Sequence, residues 1–317
     1  MILRPRISDI KNIGYYLGKI TIGLGLTMMV PIVIGLGFRE INPILDFLIS
    51  SVITLLIGII LTRLCRTEED LDWMQGMIVV SLSWLVAMLL GALPLYLSGH
   101  WKSYLDACFE AMSIFTTTGL VLVQDLDHLS YTHNLWRHLG NFIGGQGIAI
   151  VALSFFVKGT SGAFKMYVGE GRDERLLPNV INTARFIWLI SGVYLILGTL
   201  ILGIVGMSIG MKPSNAFFHS ACIFMAGFDT AGFAPQSQNI LYYHSLLFEV
   251  VTLVIMFLGT LNFNLHYHMW FGNRKEIWKN IETRTLFFSV LFFSFITVVG
   301  LNQLGVYPEA IALFRKG

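Results

Sequence analysis

The chain has 317 residues, 55% of them hydrophobic and 13% charged, with a mean hydropathy of +0.70. An average soluble domain carries about 25% charged residues, so this composition excludes a soluble enzyme and an intrinsically disordered chain. The formal net charge of +2 is too small for a nucleic-acid-binding surface, which leaves a protein that crosses a bilayer several times.

Taken in chain order, a basic N-terminus with Arg4, Arg6 and Lys11 precedes an apolar run that is too long for a signal peptide and lacks a small-residue cleavage site. It reads as an uncleaved first span. Seven runs are long enough to cross about 30 Å of hydrocarbon as helices: Ile13–Phe38, Pro43–Thr62, Gly76–Ser98, Leu135–Val157, Ala184–Met211, Tyr242–Phe271 and Thr285–Leu304. None alternates as a barrel strand would, so the prediction is an all-α polytopic membrane protein. Basic residues fix its direction. Fourteen (Arg4, Arg6, Lys11, Arg63, Arg66, Lys158, Lys165, Arg172, Arg175, Arg185, Arg274, Lys275, Lys279, Arg284) fall on one side and six (Arg39, Lys102, Arg137, Lys212, Arg315, Lys316) on the other. The positive-inside rule places the N-terminus in the cytoplasm. Lys19, inside the first span, is a functional candidate or a snorkelling side chain. Cys65, Cys108 and Cys222 give no disulfide framework and read as small packing residues.

Two connections on the outer side differ from ordinary loops. The first, from Tyr104, ends in Phe115-Thr-Thr-Thr-Gly-Leu120; the second, from Ser214, ends in Phe228-Asp-Thr-Ala-Gly-Phe233. Each opens on a capping residue, Asp106 in one and Ser214 or Asn215 in the other, and continues as an apolar run too short to cross. A half-length helix followed by Thr/Gly-rich chain is a re-entrant pore loop, because non-helical backbone at membrane depth is tolerated only beside a water-filled cavity. The half-helix turns the negative end of its dipole toward the membrane interior. Carbonyls of the segment after it can then replace the water shell of a cation. This makes Thr116, Thr117, Thr118, Gly119 and Leu120, with Asp229, Thr230, Ala231, Gly232 and Phe233, the candidate filter. In the second loop Ala-Gly-Phe occurs twice, leaving Gly227 and Gly232 as alternative filter glycines; the hexapeptide favours Gly232.

Gly144 follows Gly119 by 25 positions and Gly259 follows Gly232 by 27, each midway along the next span, as glycines that back the filter. The unit is therefore span, pore helix, filter, span, with a period of about 110 residues. The expected division is an N-terminal two-helix hairpin over 1–72, a first pore repeat over 73–180, a second over 181–281, and the start of a third over 282–317.

On Phe109-Glu-Ala-Met-Ser-Ile-Phe-Thr-Thr-Thr-Gly119, Trp136-Arg137, Gly144-Gly-Gln-Gly147 and Ala231-Gly-Phe-Ala-Pro-Gln-Ser, the sequence resembles the Trk/Ktr/HKT superfamily of potassium and sodium transporters, most closely the bacterial Trk type. The resemblance implies K⁺-channel-like repeats, four around one pore, after a preceding hairpin. It implies K⁺ as the transported ion with no covalently bound cofactor, a homodimer in the cytoplasmic (inner) membrane, and a cytoplasmic nucleotide-binding regulatory subunit. In relatives a serine at the position of Gly119 goes with Na⁺ selectivity, so glycine here implies K⁺. The third pore helix is expected to start at Pro308 and its filter about five residues past Gly317, which gives the expectation of a truncated or split product. The other readings are a non-conducting fragment that needs a second chain, or an unrelated secondary carrier. The parallel orientation of the two repeats disfavours the carrier. His266 and His268 stand two apart on one helix and do not share a face for a metal, and Gly144–Gly147 has no phosphate-loop context. Asp125 and Asp127 could form an acidic mouth that concentrates cations.

Overall fold

The structure is a computed structural model that describes residues 7–147, Tyr167 and 180–305; every regular element among them is a helix. Two compact units divide the chain, Met1–Thr260 and Leu261–Gly317.

In the first unit, α1 (Ile7–Thr27) and α2 (Met29–Phe38) form one apolar stretch interrupted at Met28. Pro31, in the first turn of α2, lacks the N–H that would reach back to Thr27, so the helical ladder breaks there. α3 (Ile41–Leu64) returns along α1 after a short turn in which Arg39 is left-handed, at φ 61°. The two backbones meet through glycines. A Cβ at Gly18 would stand 2.8 Å from the Thr62 amide nitrogen, and one at Gly58 would stand 2.8 Å from that of Ile22. Small residues permit this approach between spans.

α4 (Trp73–Leu97) starts on a capping box, Asp72 accepting from the Gln75 amide and the Gln75 side chain accepting from the Asp72 amide. Gln75 also donates to Asp9 at 2.9 Å, and Asn12 donates to Glu69 at 3.2 Å, which ties the start of α1 to the start of α4. Then follow α5 (Tyr104–Phe115), α6 (Tyr131–Gln146), α7 (Val180–Ser208), α8 (Pro213–Phe228), a 3-10 turn (Asn239–Tyr243) and α9 (Leu246–Thr260). The short α5 packs between α4 and α6, and α8 packs against α6, α7 and α9. The second unit holds α10 (Phe263–Phe271), the single turn α11 (Glu276–Lys279) and α12 (Ile281–Gln303), which Asn280 caps by accepting from Glu282 at 2.7 Å.

Several boundaries move from their expected places. Ser103, extended at φ −143° and ψ 161°, caps α5 by accepting from the Asp106 amide; Asp106 itself lies inside the first turn. α8 begins at Pro213, whose fixed φ suits the first helical position, so Ser214 and Asn215 are already helical. The sixth expected span, Tyr242–Phe271, is not one helix. It stops at Thr260 and restarts at Phe263, where Asn262 accepts from the Asn264 amide. Long apolar helices cover Ser8–Phe38, Ile41–Leu64, Trp73–Leu97, Ile181–Ser208 and Ile281–Gln303, and α9 with α10 together have the composition of a further crossing. The remainder of the fourth expected span beyond Gly147, and the expected third pore helix from Pro308, lie outside the described residues. Leu45, Leu48, Ile49, Val52, Leu56 and Ile60 on α3 face outward, a surface that suits lipid rather than water.

Candidate functional site

The two short helices α5 and α8 end in the same way. Each final turn closes on a Schellman motif, in which the amides of the two residues past the cap turn back to the last helical carbonyls. In the first, Thr117 N donates to Ile114 O at 3.2 Å and Thr118 N to Ser113 O at 2.9 Å. In the second, Thr230 N donates to Gly227 O at 3.2 Å and Ala231 N to Ala226 O at 2.8 Å. The residue that must turn left-handed is normally glycine. Here it is a threonine both times, Thr117 at φ 52° and Thr230 at φ 53°. A β-branched residue is strained at positive φ, and such strain gathers at functional sites. Two residues on, Gly119 and Gly232 turn left-handed again, at φ 83° and 75°. Phe115 thus corresponds to Phe228, Thr116 to Asp229, and Gly119 to Gly232. Gly227 lies within α8.

The helices behind the two segments also correspond. A Cβ added to Gly144 in α6 would fall on the Phe115 carbonyl, and one added to Gly259 in α9 on the Phe228 carbonyl. The last carbonyl-bearing residue of each short helix therefore rests on a glycine of the helix that follows. The two segments also meet each other, since a Cβ on Gly119 would run into the Ala231 carbonyl oxygen.

Side chains fix the surroundings. Thr116 Oγ1 donates to Met112 O and lies 2.7 Å from Thr118 Oγ1. Ser113 Oγ accepts from the Leu120 amide at 2.8 Å, and Gln146 Nε2 donates to Asp229 Oδ1 at 3.0 Å. Ala231 and Phe233 are buried, whereas Thr116, Thr118, Leu120, Thr230 and Gly232 are exposed.

Sequence reasoning missed the buried pair at the centre. Glu110, halfway along α5, and Arg137, in α6, both have fully buried side chains, and Arg137 Nε donates to Glu110 Oε1 at 2.8 Å. Glu110 Oε2 accepts from Trp101 Nε1, Leu122 N and Val123 N at 2.7, 2.7 and 2.8 Å, so it holds the chain just past the first segment. Arg137 reaches the second. Its guanidinium lies 4.8 Å over the Phe233 ring and its Nη1 donates to Asn134 Oδ1 at 3.1 Å, while Asn134 Nδ2 donates to Pro235 O at 3.1 Å. An ionisable residue within an apolar run was the available signal.

Of the other candidates, Lys19 sits 4.4 Å over the Tyr15 ring. Asp125 accepts from His128, and Asp127 accepts from the amide and hydroxyl of Ser237 at 2.8 and 2.6 Å. These bonds hold both carboxyls below the ordinary aspartate value, the largest cause being the His128 side chain for Asp125 and the Ser237 hydroxyl for Asp127.

Comparison with known proteins places this geometry. The chain is 30% identical over 299 residues to an uncharacterized cation transporter of Methanocaldococcus jannaschii, covering 94% of this chain and 59% of that protein. It is 26% identical over 309 residues to the Trk system potassium uptake protein TrkG of Escherichia coli K12, covering 95% of this chain and 61% of that one. Its fold matches the crystal structure of the potassium transporter TrkH from Vibrio parahaemolyticus with a TM-score of 0.76 at 23% identity, over 98% of this chain and 62% of that chain. The chain therefore spans about three-fifths of the length of the relatives it matches. With residues 44–313 matching the family model described as TrkH, cation transport protein, the chain belongs to the TrkH family of polytopic membrane cation transporters.

Proposed function

We propose that this chain takes up K⁺ across the cytoplasmic membrane as part of a Trk-type transporter. The observation that carries the reading is the pair of matched pore-loop ends, each with a threonine held left-handed and a left-handed glycine two residues later. Carbonyls of Thr117, Thr118 and Gly119, with those of Thr230, Ala231 and Gly232, line part of a filter and replace the hydration shell of the ion. Thr116, Leu120, Asp229 and Phe233 flank them, and Gly144 and Gly259 let the pore helices seat closely behind. The membrane potential drives entry, at about 2.3 kcal/mol per charge per 100 mV. A Cβ on Gly119 would run into the Ala231 carbonyl, whereas one on Gly232 would meet nothing within 4 Å among the described residues other than its chain neighbours.

The N-terminus is cytoplasmic in this reading, residues 1–72 form the hairpin, and 73–180 and 181–281 form the two repeats. A second copy of the subunit and a cytoplasmic nucleotide-binding regulator are the partners. The chemistry is ion translocation without an enzymatic step.

The test is growth at low external K⁺ of a bacterium stripped of its own K⁺ uptake systems, with the protein expressed from its intact native locus. Growth and Rb⁺ uptake are expected, and replacing Gly119 by Ser should raise Na⁺ entry relative to K⁺. No uptake by abundant wild-type protein in the membrane would overturn the reading.

A further inference from the structure

The two filter glycines are restrained by different means. A side chain at Gly119 would collide with the Ala231 carbonyl oxygen, so that peptide is wedged against its neighbour. Nothing among the described residues stands within 4 Å of the corresponding point at Gly232. A glycine free on that side can rotate its peptide plane more readily than any other residue. The structure supplies another restraint. Asn239 Nδ2 donates to the Gly232 carbonyl oxygen at 3.0 Å, while Asn239 Oδ1 accepts from the Ile240 amide at 2.8 Å. Both ends of the amide are engaged, so it cannot flip without breaking a bond. Asn239 itself is left-handed at φ 54°, a conformation asparagine tolerates better than most residues. Among the described residues no side chain donates to the Gly119 carbonyl.

We infer that Asn239 is a positioning residue for cation selectivity, acting through the Gly232 carbonyl. This rests on the filter reading given above. A carbonyl that replaces ion hydration must present its oxygen at a set place and angle. The Asn239 amide pins the peptide plane from the flank and draws electron density from that oxygen. It therefore sets both the direction and the strength of one coordinating group, in one repeat and not the other.

The test compares wild-type protein with Asn239→Gly and Asn239→Asp, measuring membrane abundance, the KM and maximal rate of Rb⁺ uptake, and inhibition of that uptake by Na⁺. Glycine keeps the left-handed backbone and deletes both the donor to Gly232 and the acceptor for the Ile240 amide. Aspartate keeps the acceptor for Ile240 and places a repelling oxygen against the Gly232 carbonyl. The expected result is normal abundance with K⁺-over-Na⁺ discrimination reduced by about two- to tenfold, the span that one neutral hydrogen bond supports. Aspartate should have the larger effect, and KM should change more than the maximal rate. A discrimination ratio and KM equal to wild type in Asn239→Gly would overturn the inference. So would a fall in maximal rate that merely follows abundance in both variants. Wild-type protein without Rb⁺ uptake would overturn the filter reading instead, so the two failures are distinguishable.

Discussion

At the scale of single residues, the strongest constraint falls on glycines that face carbonyls, Gly144 and Gly259 as well as Gly119. An alanine methyl at Gly144 or Gly259 lands on the backbone of Phe115 or Phe228, which cannot move aside as a flexible side chain would. Overpacking of this kind costs about 1–3 kcal/mol. Gly227 makes the control. A Cβ there meets only side-chain carbons at 3.7–3.8 Å, inside a helix where alanine is preferred. Gly227→Ala should therefore raise the thermal unfolding temperature in detergent, by the equivalent of about 0.5–1 kcal/mol, and leave uptake intact. Gly144→Ala and Gly259→Ala should lower it and reduce uptake. The opposite order would show that the second segment is misaligned with the first. The sequence left Gly227 and Gly232 as alternatives because Ala-Gly-Phe is repeated; Gly227 lies within α8, whereas Gly232 is left-handed beyond its end, as Gly119 is beyond α5.

Among the elements, α6 connects most of the site. Its residues Asn134, Arg137, Gly144 and Gln146 reach α5, the chain past the second threonine–glycine segment, and Asp229. Removing one partner of a buried ion pair leaves the other charge uncompensated, at about 3–5 kcal/mol. Arg137→Leu and Glu110→Gln should each lower the unfolding temperature strongly, and the double variant should lose less than the two effects combined. Strict additivity in a double-mutant cycle would mean that the pair acts as two independent residues. The order of the long helices was readable from apolar runs, because lipid demands long apolar stretches, but several of their ends were not. The pair was not, since its members are 27 positions apart across a loop and Arg137 counts in sequence as one more outer-side charge. The break at Leu261–Asn262 was missed for a related reason. Hydropathy stays high through it, and only the local cap on Asn262 marks it.

For the molecule as a whole, the chain beyond α5 and the chain beyond α8 are also joined to each other. Asp127 follows the first threonine–glycine segment and Ser237 the second, 110 residues apart, and the hydroxyl and amide of Ser237 both donate to the Asp127 carboxylate. These bonds depress the carboxyl pKa below its ordinary value of 3.8. The clasp is therefore fully formed above that ordinary value and is lost as pH falls through the depressed one. Ser237→Ala should be less stable than wild type at neutral pH, by a small amount because the carboxylate is exposed, and the two unfolding curves should converge in acid. A constant offset at every pH would mean that Ser237 contributes through packing alone. Sequence could propose Asp127 as an acidic mouth, but its partner became visible only once both loops were placed.

Glu40, in the turn between α2 and α3, receives the amides of Tyr131 and Thr132 at 2.9 Å each and the Thr132 hydroxyl at 2.7 Å. A carboxylate from the α2–α3 turn thus offsets the positive end of the helix that carries Arg137 and Gly144. The turn between α2 and α3 is consequently a brace for α6 rather than an appendage. A chain engineered to begin at α4 would keep α5, α8 and the segments after them and still leave the Tyr131 and Thr132 amides without the carboxylate that accepts from them.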